Sequence, residues 1–125
     1  MNLKRDLIKY CRDKAKSGYL KNSECGICGA IENLEFHHYN SMTMMLDNWL
    51  FKNKLTIETA EQIMACRDRF IEEHHAQVYT DTVTLCKEHH AKLHKIYSIK
   101  PPLATAAKQA RWVQRQKDKH EMALE

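Results

Sequence analysis

The sequence predicts an α+β domain in which two short strands and a helix form the core and further helices flank and interrupt it. Three observations predict this. Period-two alternation occurs in two short stretches, Leu34 to His38 and Thr82 to Leu85. Helical periodicity dominates everywhere else. Cysteines and histidines gather where the strands meet the helix that follows: Cys25-Gly26-Ile27-Cys28, His37-His38, and Cys86-Lys87-Glu88-His89-His90-Ala91-Lys92-Leu93-His94. With 125 residues, three glycines and two prolines, the chain reads as a single domain over 1–125 without a linker between separate cores.

The first element is a basic helix within residues 1–24. Leu3, Leu7, Tyr10 or Cys11, and Ala15 recur at helical spacing, Arg5, Lys9, Arg12 and Lys16 line another face, and Gly18 ends it. The core then spans residues 25–97. In Leu34-Glu35-Phe36-His37-His38 the alternation sends the two histidines to opposite sides of a strand. A helical insertion follows at about 42–78. Asp47 to Phe51 is apolar enough for a short helix, and Thr59 with Gln62 forms a capping box that opens a helix through Ile63, Phe70 and Ile71. Its expected role is extra core, and His74 and His75 at its end are expected to be solvated.

Val83 and Leu85 alternate with Thr82 and Thr84 as the second strand, and Cys86 to about Tyr97 is the core helix. On that helix His90 and His94 share a face at i and i+4, whereas Cys86 and His89 turn toward the Cys25/Cys28 knuckle. Lys100-Pro101-Pro102 breaks the helix. A basic C-terminal helix occupies 100–125, with Leu103, Ala106, Ala110 and Val113 as its expected buried face and Lys108, Arg111, Arg115 and Lys119 on a neighbouring one. Trp112 is expected to pack.

The metal-ligating residues divide into two sets. Structural zinc takes four soft or borderline ligands in a closed tetrahedron, and Cys25, Cys28, Cys86 and His89 supply two close pairs. Closing the loop between Cys28 and Cys86 costs roughly 3.6 kcal/mol on the logarithmic loop term. Structural zinc contributes on the order of 10 kcal/mol in small domains, so the staple prevails. His37, His38, His90 and His94 remain for a second, open site, where positions left for water and substrate make a reactive centre.

The net charge of +4 is unevenly spread: both ends carry more Lys and Arg than Asp and Glu, and the middle carries the reverse. A polyanion would be gripped by the flanks while the centre holds cations. No apolar run approaches a membrane span and no leader with a cleavage site is evident, so a cytosolic protein is expected. Five cysteines fit that compartment as ligands and as small buried or half-buried thiols, with Cys11 and Cys66 as the latter.

At these residues the chain resembles the HNH nucleases, the family with the ββα-metal fold. Asp81-Thr82-Val83-Thr84-Leu85-Cys86-Lys87-Glu88-His89-His90-Ala91-Lys92-Leu93-His94 is similar to the second half of the family motif, and Leu34-Glu35-Phe36-His37-His38 looks like the first strand with its paired histidines. Cys25 and Cys28 sit where zinc-containing members carry their first knuckle. His89 stands where a fourth cysteine is usual, and Asp81 where the family has asparagine. The resemblance implies DNA as partner and phosphodiester hydrolysis as activity. It implies one divalent ion, magnesium or manganese with zinc or nickel as alternatives, on His37, His90 and His94, and His38 as general base. Asp81 would accept hydrogen bonds from the loop after His38, or join the ion as an oxygen ligand and so favour magnesium or manganese.

Small free-standing nucleases of this type resemble phage and homing-endonuclease proteins, which implies a bacterial or phage-infected cell. The competing reading is a noncatalytic zinc-stapled DNA-binding module, which has no use for the surplus histidines. A C2H2 finger fails on loop length, which should be roughly 12 to 15 residues. A zinc deaminase fails because it needs a His-x-Glu arrangement that the paired histidines do not provide.

Overall fold

Two strands that lie far apart in the chain meet as an antiparallel pair, and everything else is arranged around them. Strand β1 (Leu34–His38) pairs with β2 (Thr82–Cys86) in the register Leu34 to Cys86, Phe36 to Thr84 and His38 to Thr82. The structure, a computed structural model, describes residues 3–19 and 21–124. Residues 1, 2, 20 and 125 of the expected 1–125 span lie outside the described residues. Five α-helices complete it among those residues: α1 (Leu3–Ser17), α2 (Met42–Lys52), α3 (Ala60–Glu73), α4 (Lys87–Tyr97) and α5 (Ala106–Leu124). The architecture is α+β, as the patterning predicts.

The buried apolar residues form two clusters. Leu7, Cys11 and Ala15 of α1 join Met42, Met45, Leu46, Trp49 and Leu50 of α2, Ile63, Phe70 and Ile71 of α3, and Val78. Cys25, Ile27, Leu85, Cys86, Leu93, Trp112 and Val113 form the other, around β2, α4 and α5. The insertion therefore packs chiefly on α1. Its helices begin as the sequence requires: Ser41 Oγ accepts from Met44 N–H at α2, and Thr59 and Gln62 make the reciprocal capping box at α3. Ion pairs tie α1 to its neighbours, Lys4 to Asp47 at 2.8 Å and Lys14 to Asp68 at 2.6 Å. These pairs are exposed and contribute under about 1 kcal/mol each, so apolar burial does most of the joining.

Helix α1 ends where expected, before Gly18, which lies tightly against Tyr79. A Cβ on Gly18 would approach Tyr79 Cε1 to 2.9 Å. The segment Ala76–Thr80 is a single π-helical turn, which no periodicity announced. The buried face of α5 also differs from expectation. It is Gln109, Trp112 and Val113, because the polar Gln109 is drawn inward by partners described below, which turns Leu103, Ala106 and Ala110 toward the margin. No described helix is long and apolar enough to cross a membrane.

Candidate metal centres and nucleic-acid cleft

The knuckle is docked on the hairpin by its own backbone. Gly26 N–H donates to Thr84 O at 2.8 Å, and Cys25 N–H donates to Ala30 O at 2.8 Å while Gly29, at φ +73°, turns its N–H back to Cys25 O. A Cβ at Gly26 would meet Val83 Cγ2 at 3.1 Å and Thr84 O at 3.3 Å, so the close approach needs glycine there. Cys86 closes β2 and caps α4, its sulfur accepting from His89 N–H at 3.5 Å. These constraints gather Cys25, Cys28, Cys86 and His89 so that one ligand atom of each lies within 4.8 Å of the others. Cys28 and Cys86 Sγ are 3.9 Å apart, and Cys86 Sγ is 3.2 Å from His89 Nδ1. Burial pushes the Cys25 thiol up, but backbone amides of Cys28, Cys86 and Ile27 outweigh it and hold the thiol below its ordinary value. The set has the chemistry of a closed metal staple.

His37, His90 and His94 form the second cluster, again with ligand atoms within 4.8 Å of one another. Their protonation follows from their outer partners. Gln109 Nε2 lies 3.1 Å from Tyr39 O, which can only accept, so the amide is oriented with Oε1 toward His37 Nε2 at 2.8 Å. His37 must therefore carry its proton on Nε2. His90 Nδ1 faces the Glu35 carboxylate at 3.1 Å and His94 Nδ1 faces Ser98 O at 2.8 Å, both of which accept. Each ring donates outward, which leaves three lone pairs pointing inward: His37 Nδ1 is 3.1 Å from His90 Nε2, and His94 Nε2 is 2.9 Å from the same atom. Three convergent acceptors with no proton among them repel unless a cation lies between them, and outward hydrogen bonds of this kind orient metal-binding histidines.

Electrostatics agree with neutral ligands. Burial, with His37 only 3% exposed, pushes its imidazole down to about 4 against the hydrogen bond to Gln109. Burial also lowers His90, partly offset by the Glu35 hydrogen bond.

His38 lies on the other side of β1, as alternation requires. Its Nε2–H donates to Val78 O at 2.8 Å, a carbonyl presented by the π-helical turn, so Nδ1 carries the lone pair. The Tyr19 hydroxyl sits 2.8 Å from Nε2 and 3.3 Å from Nδ1, and its ring stacks on Phe36 with centroids 3.8 Å apart. Burial pushes Tyr19 up to about 12, so it remains a phenol near neutrality. Burial lowers His38, with the Val78 bond opposing, which leaves a neutral imidazole with basic capacity.

Asp81 departs from expectation. Its main-chain oxygen, not its carboxylate, takes the contact with the loop after His38, accepting from Tyr39 N–H at 3.2 Å. The side chain is exposed and joins neither cluster of ligand atoms. The reason is register: Asp81 precedes Thr82, the partner of His38, and so sits just beyond the paired strands.

An open cleft of about 320 Å³ exposes this chemistry, lined by His37, His38, His90 and His94 together with Tyr19, Arg12, Lys16 and Lys100. A second depression, lined by Arg5, Lys9 and Arg12, shares Arg12, Thr43 and Lys100 with the cleft. Arg12 Nη2 donates to Thr43 Oγ1 at 2.9 Å and holds the junction. The stripe on α1 thus runs into the cleft. Lys108, Arg111, Arg115 and Lys119 on α5 are exposed and line neither depression.

Sequence reasoning missed Gln109, Glu35, Tyr19 and the carbonyls of Val78 and Ser98. Glu35 was findable, since period two puts it on the face of His37. Gln109 left a fainter trace as a polar residue one turn before Trp112 and Val113. The two carbonyls leave none. His74 and His75 stay outside both clusters: His74 Nδ1–H caps Phe70 O at 2.8 Å, and the exposed His75 packs on Tyr79.

Two Cys/His clusters that could each hold a metal ion sit on one strand–strand–helix unit, with a basic groove leading to the second. The family model for phage T5 nicking endonucleases, described as the nicking endonuclease family, matches residues 1–124. The chain belongs to that family, and by this membership it is a DNA-cleaving endonuclease. No solved structure matches the chain.

Proposed function

We propose that the protein nicks duplex DNA by the hydrolysis that its resemblance to the HNH nucleases implies, with the ββα unit formed by β1, β2 and α4. The observation that carries this is the set of three inward lone pairs on His37, His90 and His94, held by Gln109, Glu35 and Ser98. These three residues hold a divalent ion, which when bound supplies Lewis acidity at phosphate oxygens. His38 accepts a proton from the attacking water at Nδ1, while Val78 O keeps the other nitrogen protonated. Tyr19 sits against the same ring and orients it. Arg12, Lys16 and Lys100 hold flanking phosphates at the cleft, and Arg5 and Lys9 extend the grip along α1.

Cys25, Cys28, Cys86 and His89 hold structural zinc. With Asp81 outside the triad, an all-imidazole donor set shifts the expected catalytic ion toward zinc or nickel and away from magnesium, with manganese between. One such triad among the described residues would cut one strand per binding event, in keeping with the family's description.

The test is nicking of supercoiled plasmid across a metal titration. His38→Ala is expected to keep fold, structural zinc and DNA affinity and to lose about a hundredfold or more in rate at every metal concentration. His94→Ala is expected to recover in part at high metal, because a weakened site can be refilled and an absent base cannot. Near wild-type nicking by His38→Ala would sink the assignment of the base.

A further inference from the structure

Ile99 is 86% exposed, yet it lines the cleft that holds the four histidines. The other strongly exposed large apolar side chains among the described residues, such as Phe51, Ile31 and Met122, are not among those lining it. A singly exposed apolar side chain is ordinary on a surface, but this one shares its cleft with Arg12, Lys16 and Lys100. An apolar tip set among cations is complementary to one kind of partner. Nucleic acid offers phosphates to the cations and a stack of apolar base faces to the tip.

The backbone on either side holds this tip in place. Ser98 adopts φ 82° and ψ 170°, a region that residues with a Cβ rarely enter. The turn brings its carbonyl to His94 Nδ1–H at 2.8 Å. On the other side Pro101 is buried and Pro101-Pro102 restrict the chain. Ile99 is therefore presented on a ledge whose first residue is hydrogen-bonded to His94 of the triad.

We propose that Ile99 is a wedge that enters the base stack of duplex DNA at the step beside the cleaved phosphate, unstacking it so that the strand seats in the cleft. Apolar side chains inserted between base steps kink a duplex in this way. The inference rests on the endonuclease reading above, and it adds a contact that neither the triad nor the base requires.

The experiment uses the full chain and a duplex carrying its nick site, mapped first on plasmid. 2-Aminopurine is placed at the steps flanking the nick, and His38→Ala keeps the bound duplex uncut. Fluorescence is expected to rise at one step on binding, and the rise is expected to disappear in His38→Ala/Ile99→Ala. In the cleavage arm, Ile99→Ala is expected to nick intact duplex roughly ten- to hundredfold more slowly, the scale set by burying one isoleucine side chain. An abasic site at the same step is expected to bring Ile99→Ala back to within a few fold of wild type, since the stack is already open. Ile99→Met is expected to stay near wild type. Wild-type nicking by Ile99→Ala with an unchanged fluorescence rise overturns the proposal, and so does a rate loss that the abasic site leaves uncorrected. Loss of self-association by Ile99→Ala with no fluorescence change would overturn it as well, assigning the side chain to protein contact. If the wild-type protein nicks and His38→Ala nicks the mapped site at a near wild-type rate, the assignment of the base fails alone, and the fluorescence arm, run without added divalent metal, still decides the wedge.

Discussion

Replacing Gln109 by leucine keeps the volume and helix preference of the site and removes only its polarity. Gln109 is fully buried and makes three hydrogen bonds: Oε1 accepts from His37 Nε2–H at 2.8 Å, and Nε2 donates to Tyr39 O at 3.1 Å and Thr105 Oγ1 at 3.0 Å. Thr105 keeps its bond to Pro102 O and is only half-buried, so it loses little. Tyr39 O and the His37 ring are left without their partners. A buried group stripped in this way costs about 1–3 kcal/mol, so Gln109→Leu is expected to lose about 2–4 kcal/mol of stability. That corresponds to a fall of roughly 10 °C in Tm.

The effect on the metal is distinct. Freed from Gln109, His37 is no longer committed to the tautomer that points its Nδ1 lone pair inward, and affinity at the triad is expected to fall roughly 10- to 100-fold. Calorimetric titration of manganese or zinc into protein already holding its structural zinc measures this, with zinc content followed in parallel. Thr105→Val, which removes a partner of Gln109 without touching His37, is expected to stay within a few fold of wild type. A folded Gln109→Leu protein with unchanged affinity at the triad would refute the tautomer argument.

Cys86→Ser is expected to lose both structural zinc and cooperative folding, because Cys86 closes β2, caps α4 and belongs to the staple; metal analysis and thermal melts check it. Charge reversal at Lys9 and Arg12 is expected to weaken DNA binding and flatten its salt dependence more than reversal at Arg111 and Arg115, since only the α1 stripe runs into the cleft; equal effects would put both helices on the duplex. Burial pushes the Cys11 thiol from 9.0 up to about 12. A folded pKa raised above the unfolded one gives stability that is intact below pH 9 and lost as pH rises toward 12, so thermal melts are expected to fall over that window and less steeply in Cys11→Ala.

The readable parts of this chain were those in which a side chain answers to a repeat or a spacing. The capping box at Thr59 and Gln62, the opposed histidines of β1 and the shared face of His90 and His94 each follow from local geometry, and the structure has them. What escaped was set by the tertiary arrangement. The buried face of α5 could not be read from apolar residues alone, because a glutamine belongs to it. The π-helical turn and the Ser98 conformation are backbone events whose purpose lies in carbonyls, which every residue has. The two apolar clusters were hidden because the insertion that interrupts the motif is also what α1 needs for burial. At Asp81 the main-chain oxygen makes the contact with the loop after His38, which a motif position does not announce.

His89 and His90 are neighbours on the first turn of α4, one in each ligand cluster. Chelation therefore has two outcomes that an activity assay alone would confuse. If the cysteine cluster holds zinc as proposed, a strong chelator that strips it is expected to release the start of α4 and carry His90 away from His37, so that activity is lost whichever ion serves the open site. Re-addition of magnesium or manganese to such protein would then test refolding rather than cofactor preference. A weak chelator, applied briefly to protein whose zinc content is monitored, empties the open site first, and the order of removal and reloading becomes the measure of which ion works there.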